Sequence, residues 1–91
     1  MNKQRRKVLN DYIKELYGVK EKLEEIKGGI ESVRDEEDDS YSNLPEGLMY
    51  SEKGDIMQEN IDSMDNIGSN IDDVISQLDD TIDELQEIID K

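Results

Sequence analysis

Apolar and small residues recur at alternating gaps of four and three in the second half of the chain. The row comprises Met57, Ile61, Met64, Gly68, Ile71, Ile75, Leu78, Ile82, Leu85 and Ile89. This spacing is a heptad seam and predicts one long helix over about residues 52–90. Further apolar residues widen the stripe on one side, which favours a helix bundle over a two-stranded coiled coil; they are Ile67, Val74 and Ile88.

A second heptad row lies nearer the N-terminus and predicts another helix, over about residues 3–34. Its members are Leu9, Tyr12, Leu16, Val19, Leu23, Ile26, Ile30 and Val33. Ile13 and Tyr17 lie beside this row and broaden the stripe. Each predicted helix therefore carries an apolar face that is too wide to remain alone in water.

The segment between the two rows, about residues 35–51, has no heptad pattern and is predicted to be a loop. It opens with five consecutive acids, residues 35–39. Negative charge opposes the dipole at a helix C-terminus, so we expect the first helix to end near Arg34. Pro45 excludes a continuous helix through the segment, and Ser51 is the expected N-cap of the second helix.

The two helical segments differ sharply in charge. Residues 1–34 carry nine Lys or Arg against six acids, a net of +3, whereas residues 35–91 carry two against nineteen, a net of −17; together they give −14. Charge therefore favours antiparallel pairing, although each exposed ion pair contributes only about 0.2–1 kcal/mol. We predict an all-α fold, a long antiparallel helical hairpin that assembles into a four-helix-bundle-like homo-oligomer. The predicted oligomer seam comprises Leu16, Leu23, Ile61, Ile71, Ile75, Leu78, Ile82 and Leu85.

The composition leaves little room for catalysis. The chain has no His and no Cys, which removes imidazole and thiolate chemistry. Carboxylate pairs such as Asp72 and Asp73 face water in the predicted helix and lack the burial that shifts a pKa. We expect no enzyme, no catalytic residue and no cofactor. Residues 35–46 match the spacing of a calcium loop in part, but Ser40 stands where that loop requires Gly, so we expect no metal site and keep calcium binding as an alternative.

Two groups of residues lack a complete explanation in folding and are the predicted contacts for a ligand or partner. One is the cation cluster of Arg5, Arg6 and Lys7, which either forms an anion pocket when copies assemble or is neutralised by acids near the C-terminus. The other lies in the loop and comprises Tyr41, Leu44, Glu46, Leu48, Tyr50 and Ser51. The expected partner is another protein or a small anionic ligand, because the net charge disfavours direct binding to bulk nucleic acid. No apolar run approaches membrane-spanning length, so we expect no membrane partner.

The most distinctive stretch of the chain lies in this loop. It reads Asn43-Leu44-Pro45-Glu46-Gly47-Leu48 and is followed by Ser51-Glu52. With the basic N-terminus and the acidic Ile/Leu repeat, it resembles small uncharacterised acidic helical proteins encoded by phages and mobile elements of Gram-positive bacteria. The likeness covers nearly the whole chain. It implies a protein of the host-cell cytoplasm that binds a host component and inhibits a host defence system, by blocking a protein or by sequestering a small nucleotide-like ligand.

Three function classes follow from these observations. The first is the non-catalytic interaction protein that the resemblance implies. The second is a polyanionic nucleic-acid mimic that occupies a basic cleft, and the third is a structural coiled-coil scaffold. Binding that weakens in high salt favours the mimic, since exposed charges are screened beyond about 8–10 Å. Salt-insensitive binding that is lost on changing the loop favours a specific contact, and the absence of any partner favours the scaffold.

Overall fold

The structure, a computed structural model, describes residues 1–91 and contains three helices and no strand. Helix α1 spans Lys3–Ser42, α2 is the single turn Glu46–Met49, and α3 spans Glu52–Asp90. The predicted all-α class is confirmed. Helices α1 and α3 pack against each other in opposite directions, so the predicted helical hairpin is confirmed as well. None of the helices combines the length and the apolar composition needed to cross a bilayer.

The chain divides into two compact units, and each pairs a stretch of α1 with a stretch of α3. The first, called the terminal unit below, comprises Met1–Glu25 and Ile71–Lys91. The second, the turn unit, comprises Ile26–Asn70. Because the two helices run in opposite directions, the terminal unit holds both ends of the chain and the turn unit holds α2.

The seam of α3 is covered along its whole length. Every position of the row from Met57 to Ile89 is buried or half-buried, and Ile82 retains only 3% of its exposure. In heptad notation, abcdefg, these residues occupy positions a and d, which face the neighbouring helix. Full burial of an Ile or Leu side chain contributes about 1.5–3 kcal/mol, so this row stabilises both units.

The covered row of α1 differs from the predicted one on one flank. Ile13 retains 6% of its exposure, whereas its neighbour Tyr12 retains 54%. The other three members of that flank are exposed in the same way: Val19, Ile26 and Val33. The covered residues are those one position later in the sequence, namely Ile13, Lys20, Lys27 and Arg34. The prediction that the flank of Tyr12, Val19, Ile26 and Val33 lies in the α1 seam is therefore wrong for the single chain.

Long cationic side chains explain this difference. Their aliphatic stems can cover apolar surface while their charged ends stay in water, and α3 supplies carboxylates for those ends. The Lys20 ammonium lies 2.8 Å from a carboxylate oxygen of Asp79, and the Arg34 guanidinium lies 2.9 Å from one of Asp65. Side chains that count as polar in the sequence therefore lie at a positions of the seam. The d positions are common to the predicted and the observed row: Leu9, Leu16, Leu23 and Ile30.

Helix α1 ends at Ser42 and not near Arg34, so it continues through the five acids that were expected to stop it. Arg34 offsets part of their mutual repulsion, because its guanidinium lies 3.4 Å from Asp35 and 3.8 Å from Asp38. The second of these pairs has the i, i+4 spacing that stabilises a helix. Ion pairing along α1 thus offsets part of the effect that was expected to end the helix near Arg34.

Contacts with α3 also extend α1 beyond the predicted end. Glu37 accepts a hydrogen bond from the Asn60 side chain of α3 at 3.0 Å, and Tyr41 is half-buried at the next a position. A calcium loop has to wrap its ligands around the ion. The acids of residues 35–42 instead project from a continuous helix, and this conformation does not form such a loop.

The connection between the long helices is much shorter than the predicted loop. Residues 43–45 join α1 to α2, and Tyr50 and Ser51 join α2 to α3. Gly54 is buried where α2 lies against the first turn of α3, and a Cβ atom there would overlap the backbone carbonyl of Met49. Ser51 donates its hydroxyl to the Leu48 carbonyl of α2. Glycine at position 54 is therefore what allows α2 to pack against α3.

Candidate functional site

One edge of the helix pair is closed by ion pairs, and we call it the ionic edge. In the terminal unit, Lys20 donates a hydrogen bond to Asp79 at 2.8 Å; in the turn unit, Arg34 donates to both carboxylate oxygens of Asp65, at 2.9 and 3.5 Å. In both units a cation at position a of α1 meets a carboxylate at position e of α3. The hydrogen bond to Asp79 raises the pKa of Lys20 above its ordinary 10.5, and the hydrogen bond to Asp65 raises the pKa of Arg34.

The opposite edge of the terminal unit is apolar and uncovered, and we call it the open edge. Its exposed apolar residues occupy position g, directly before a covered a residue, and they are Tyr12 and Val19 on α1 and Val74 and Ile88 on α3. The exposed Arg5 begins the same α1 row. In an antiparallel pair the two g rows flank the same edge, and the two e rows flank the other. Thr81 continues the α3 row, and its hydroxyl donates to the Gln77 carbonyl at 2.8 Å. That polar group is thus satisfied within the helix.

The turn unit also exposes apolar residues at position g. They are Ile26 and Val33 on α1 and Ile67 on α3. An open cleft of about 250 Å³ adjoins this row and is lined by Val33, Glu36, Glu37, Ser40 and Met64. Glu37 is already engaged by the Asn60 amide, and nowhere do three or more potential ligand side chains lie close enough to hold a metal ion. The cleft therefore offers a mixed polar and apolar surface for contact.

The predicted cation cluster lies in the first turns of α1, in the terminal unit. Asn2 caps this helix, because its side-chain oxygen accepts a hydrogen bond from the Arg5 backbone N–H at 2.8 Å. Arg5 and Lys7 are exposed, whereas Arg6 is half-buried at an a position. The Nε atom of Arg6 is buried and has no hydrogen-bond partner. The three cations are therefore not equivalent, and only Arg5 and Lys7 are fully accessible to a ligand.

The predicted loop contacts lie in the turn unit and fall into two kinds. Three of them are half-buried and help to hold the turn: Tyr41, Leu44 and Ser51. The other three are exposed: Glu46, Leu48 and Tyr50. Tyr50 retains 80% of its exposure, which is unusual for a large aromatic side chain. The loop belongs to the turn unit, and the cation cluster belongs to the terminal unit.

The residues predicted as an oligomer seam lie between α1 and α3 in the single chain. Leu16 and Leu23 of α1 are half-buried, and the α3 members are buried or half-buried. Their part in an interface between copies stays a prediction. The sequence interpretation missed the role of Lys20, Lys27 and Arg34 in the seam. The sequence feature that could have indicated this role is their seven-residue spacing, which follows that of the leucine row.

The geometry as a whole provides surfaces for contact: an ionic edge, an open apolar edge and an exposed turn. Each of them is suited to contact with a protein chain that carries complementary apolar or charged residues. No family model, no curated protein and no solved structure matches this chain. The functional argument therefore depends on these surfaces and on their chemistry.

Proposed function

We propose that this chain is a non-catalytic interaction protein that self-assembles and binds a partner. In the form that the phage resemblance suggests, the partner is a host component in the bacterial cytoplasm, and binding inhibits a host defence system. Inhibition acts by blocking a host protein or by sequestering a small nucleotide-like ligand. The observation that carries the proposal is the open edge, an apolar surface that a single chain leaves uncovered.

The open edge supports self-assembly because exposed apolar rows are unfavourable for so small a protein. A chain of 91 residues buries only a modest share of its surface on folding. Full burial of an exposed Val or Ile side chain contributes about 1.5–3 kcal/mol. The side chains of the open edge are 40–54% exposed, so an interface adds roughly half of that for each. Two hairpins that cover each other's apolar faces form a four-helix bundle. The proposed assembly is therefore a homo-oligomer, with the dimer as its simplest form.

The exposed turn supplies the proposed surface for the partner. Tyr50 combines a large apolar ring with a hydroxyl, and such residues are enriched among the anchors of protein interfaces. Leu48 is exposed two residues before it. Arg5 and Lys7 add exposed cations in the terminal unit, and arginine binds phosphate groups in a bidentate manner. The turn suits a host protein, and the cations suit a small anionic ligand.

Affinity capture tests the proposal. The tagged protein is incubated with a Gram-positive bacterial lysate, and mass spectrometry identifies co-purifying proteins and small molecules. Tyr50→Ala should abolish capture while the circular dichroism spectrum and the oligomer mass stay unchanged. Tyr17→Ala is the matched control, because Tyr17 is also an exposed tyrosine but lies outside the predicted contacts. Equal capture by wild type and Tyr50→Ala would remove the turn from the proposed site.

A polyanionic mimic is the second candidate function, and the exposed acids of α3 favour it. Asp73 and Asp80 are exposed, whereas Asp79 is ion-paired with Lys20 and belongs to the fold. If the mimic interpretation is correct, Asp73→Asn with Asp80→Asn should remove binding, and moderate salt should weaken it. Binding that survives both changes excludes the mimic. The absence of any captured partner would leave a structural scaffold as the function.

A further inference from the structure

We propose that the open edge of the terminal unit is the surface that binds a second copy, and that α1 of one copy lies against α3 of the other across a two-fold axis. This inference rests on the proposed self-assembly and adds the face, the pairing and the alignment. Its basis is the pair of apolar rows, Tyr12 and Val19 on α1 and Val74 and Ile88 on α3.

The ionic edge is a poor surface for the same purpose. Its e positions in the terminal unit include Asn10, Glu24, Asp79 and Gln86, which are polar or charged, and one exposed aromatic residue, Tyr17. Covering this edge would remove the Lys20–Asp79 ion pair from water, and desolvating two charges is costly. The open edge has a smaller cost, because its one charged g residue, Arg5, lies in the first turns of α1, and the Thr81 hydroxyl of its α3 row is already bonded within the helix.

A two-fold axis can bring two open edges together in two ways. Like helices face each other when the axis is perpendicular to them, and unlike helices face each other when the axis is parallel to them. Charge distinguishes the two arrangements. In the terminal unit, residues 1–25 carry seven Lys or Arg against five acids, a net of +2, whereas residues 71–91 carry one against eight, a net of −7. Pairing unlike helices avoids placing two strongly acidic segments side by side.

The alignment follows from the ion pair of the terminal unit. Lys20 lies level with about Asp79 along the helices, because their charged atoms are 2.8 Å apart. A two-fold axis parallel to the helices keeps every residue at its own level in the second copy. Val19 of one copy therefore lies opposite Thr81 of the other, and Tyr12 lies opposite Ile88. Each offset is about one residue, or roughly 1.5 Å, so the two residues of each pair lie at nearly the same level.

Chemical crosslinking tests this arrangement, and the absence of native cysteine makes it simple. The Val19→Cys and Thr81→Cys variants are mixed, unfolded and refolded together, and treated with a short bismaleimide. The mixture should show a species of twice the 10.5 kDa chain mass on a denaturing gel, and neither variant alone should show it. The matched control is a mixture of Asn10→Cys and Gln86→Cys, which has similar spacing on the ionic edge and should not crosslink.

Sedimentation equilibrium of the uncrosslinked wild type tests self-assembly separately from the proposed arrangement of the two copies. A two-chain mass together with the expected crosslinks supports the inference. A two-chain mass with crosslinking by Val19→Cys alone, by the control mixture, or by neither mixture overturns the arrangement and leaves self-assembly standing. A mass of one chain at micromolar concentration overturns self-assembly and this inference together.

Discussion

Replacing Gly54 with alanine is expected to destabilise the protein, although alanine is the better helix former. A Cβ atom at this position would overlap the Met49 carbonyl and lie 2.8 Å from the Leu48 carbonyl oxygen. These are backbone atoms, so relief requires α2 to move and not a side chain to rotate. Overpacking of this kind costs about 1–3 kcal/mol. The gain from replacing glycine in a helix is at most about 1 kcal/mol, and it is smaller still in a first turn.

Gly68→Ala is the matched control, because it also replaces a buried glycine of α3. Its Cβ atom would lie 3.8 Å from the Lys27 Cε atom, which is an ordinary van der Waals contact. This variant should therefore keep the full gain in helix propensity and melt above the wild type. The clash at Gly54 should separate the two variants by about 1–3 kcal/mol in the free energy of unfolding. For a domain of this size that is about 4–24 °C in Tm.

Thermal and urea unfolding followed by circular dichroism measure this separation. All variants must be compared at one protein concentration, because self-association makes Tm depend on concentration. A Gly54→Ala protein that melts with or above Gly68→Ala would refute the reasoning. It would mean that α2 does not pack against the first turn of α3 in solution.

Two further predictions concern the ion pair and the core. Because the hydrogen bond to Asp79 raises the pKa of Lys20, the stability from this pair is complete below pH 10.5 and is lost as the pH rises through the folded-state pKa. In thermal melts between about pH 9 and 12, the Tm of the wild type should fall relative to that of Lys20→Met. It should not fall relative to that of Lys14→Met, in which an exposed lysine is replaced. Parallel curves of Tm against pH for all three proteins would contradict this. Ile82→Ala should lower the free energy of unfolding by about 2–5 kcal/mol in urea titrations, whereas Ile56→Ala should lower it less, because Ile56 is 49% exposed and lies outside the open edge; equal losses would count against the seam.

The α3 half of the hairpin could be predicted from the sequence because its pattern has one solution. Apolar residues and Gly68 fill the a and d positions, and most other positions are polar. The row predicted from the heptad spacing is therefore the row that is buried in the structure. Helix class and antiparallel pairing then follow from amphipathicity and from the charge difference between the helices. Both predictions depend on many residues at once, and no single residue decides them.

The α1 seam could not be predicted in the same way, because its leucines can form a heptad row with either of two neighbouring sets of residues. Leu9, Leu16 and Leu23 can combine with the apolar row that includes Tyr12 or with the row that includes Lys20. Hydrophobicity favours the first row, but the second is the one that α3 covers in the single chain. The choice depends on carboxylates of a different helix, and a pattern within α1 contains no information about them.

The candidate site was predictable only where it depends on local chemistry. The turn sequence and the basic cluster marked Tyr50 and Arg5 as candidate contacts, and both side chains are exposed. The open edge did not follow, since its α1 residues were assigned to the seam. Only the packing of α1 on α3 shows which apolar rows remain uncovered.

The seven-residue spacing of the charges bears on how the two helices find their alignment. Cations recur at this spacing on α1 and carboxylates on α3, at Lys20, Lys27 and Arg34 and at Asp65, Asp72 and Asp79. Sliding one helix past the other by one heptad would bring each cation to the next carboxylate, so the charges alone permit several alignments. The turn has no seven-residue repeat. It requires glycine at position 54, where a Cβ atom would overlap the Met49 carbonyl. The turn thus determines one alignment of the two helices, and the repeated ion pairs stabilise that alignment.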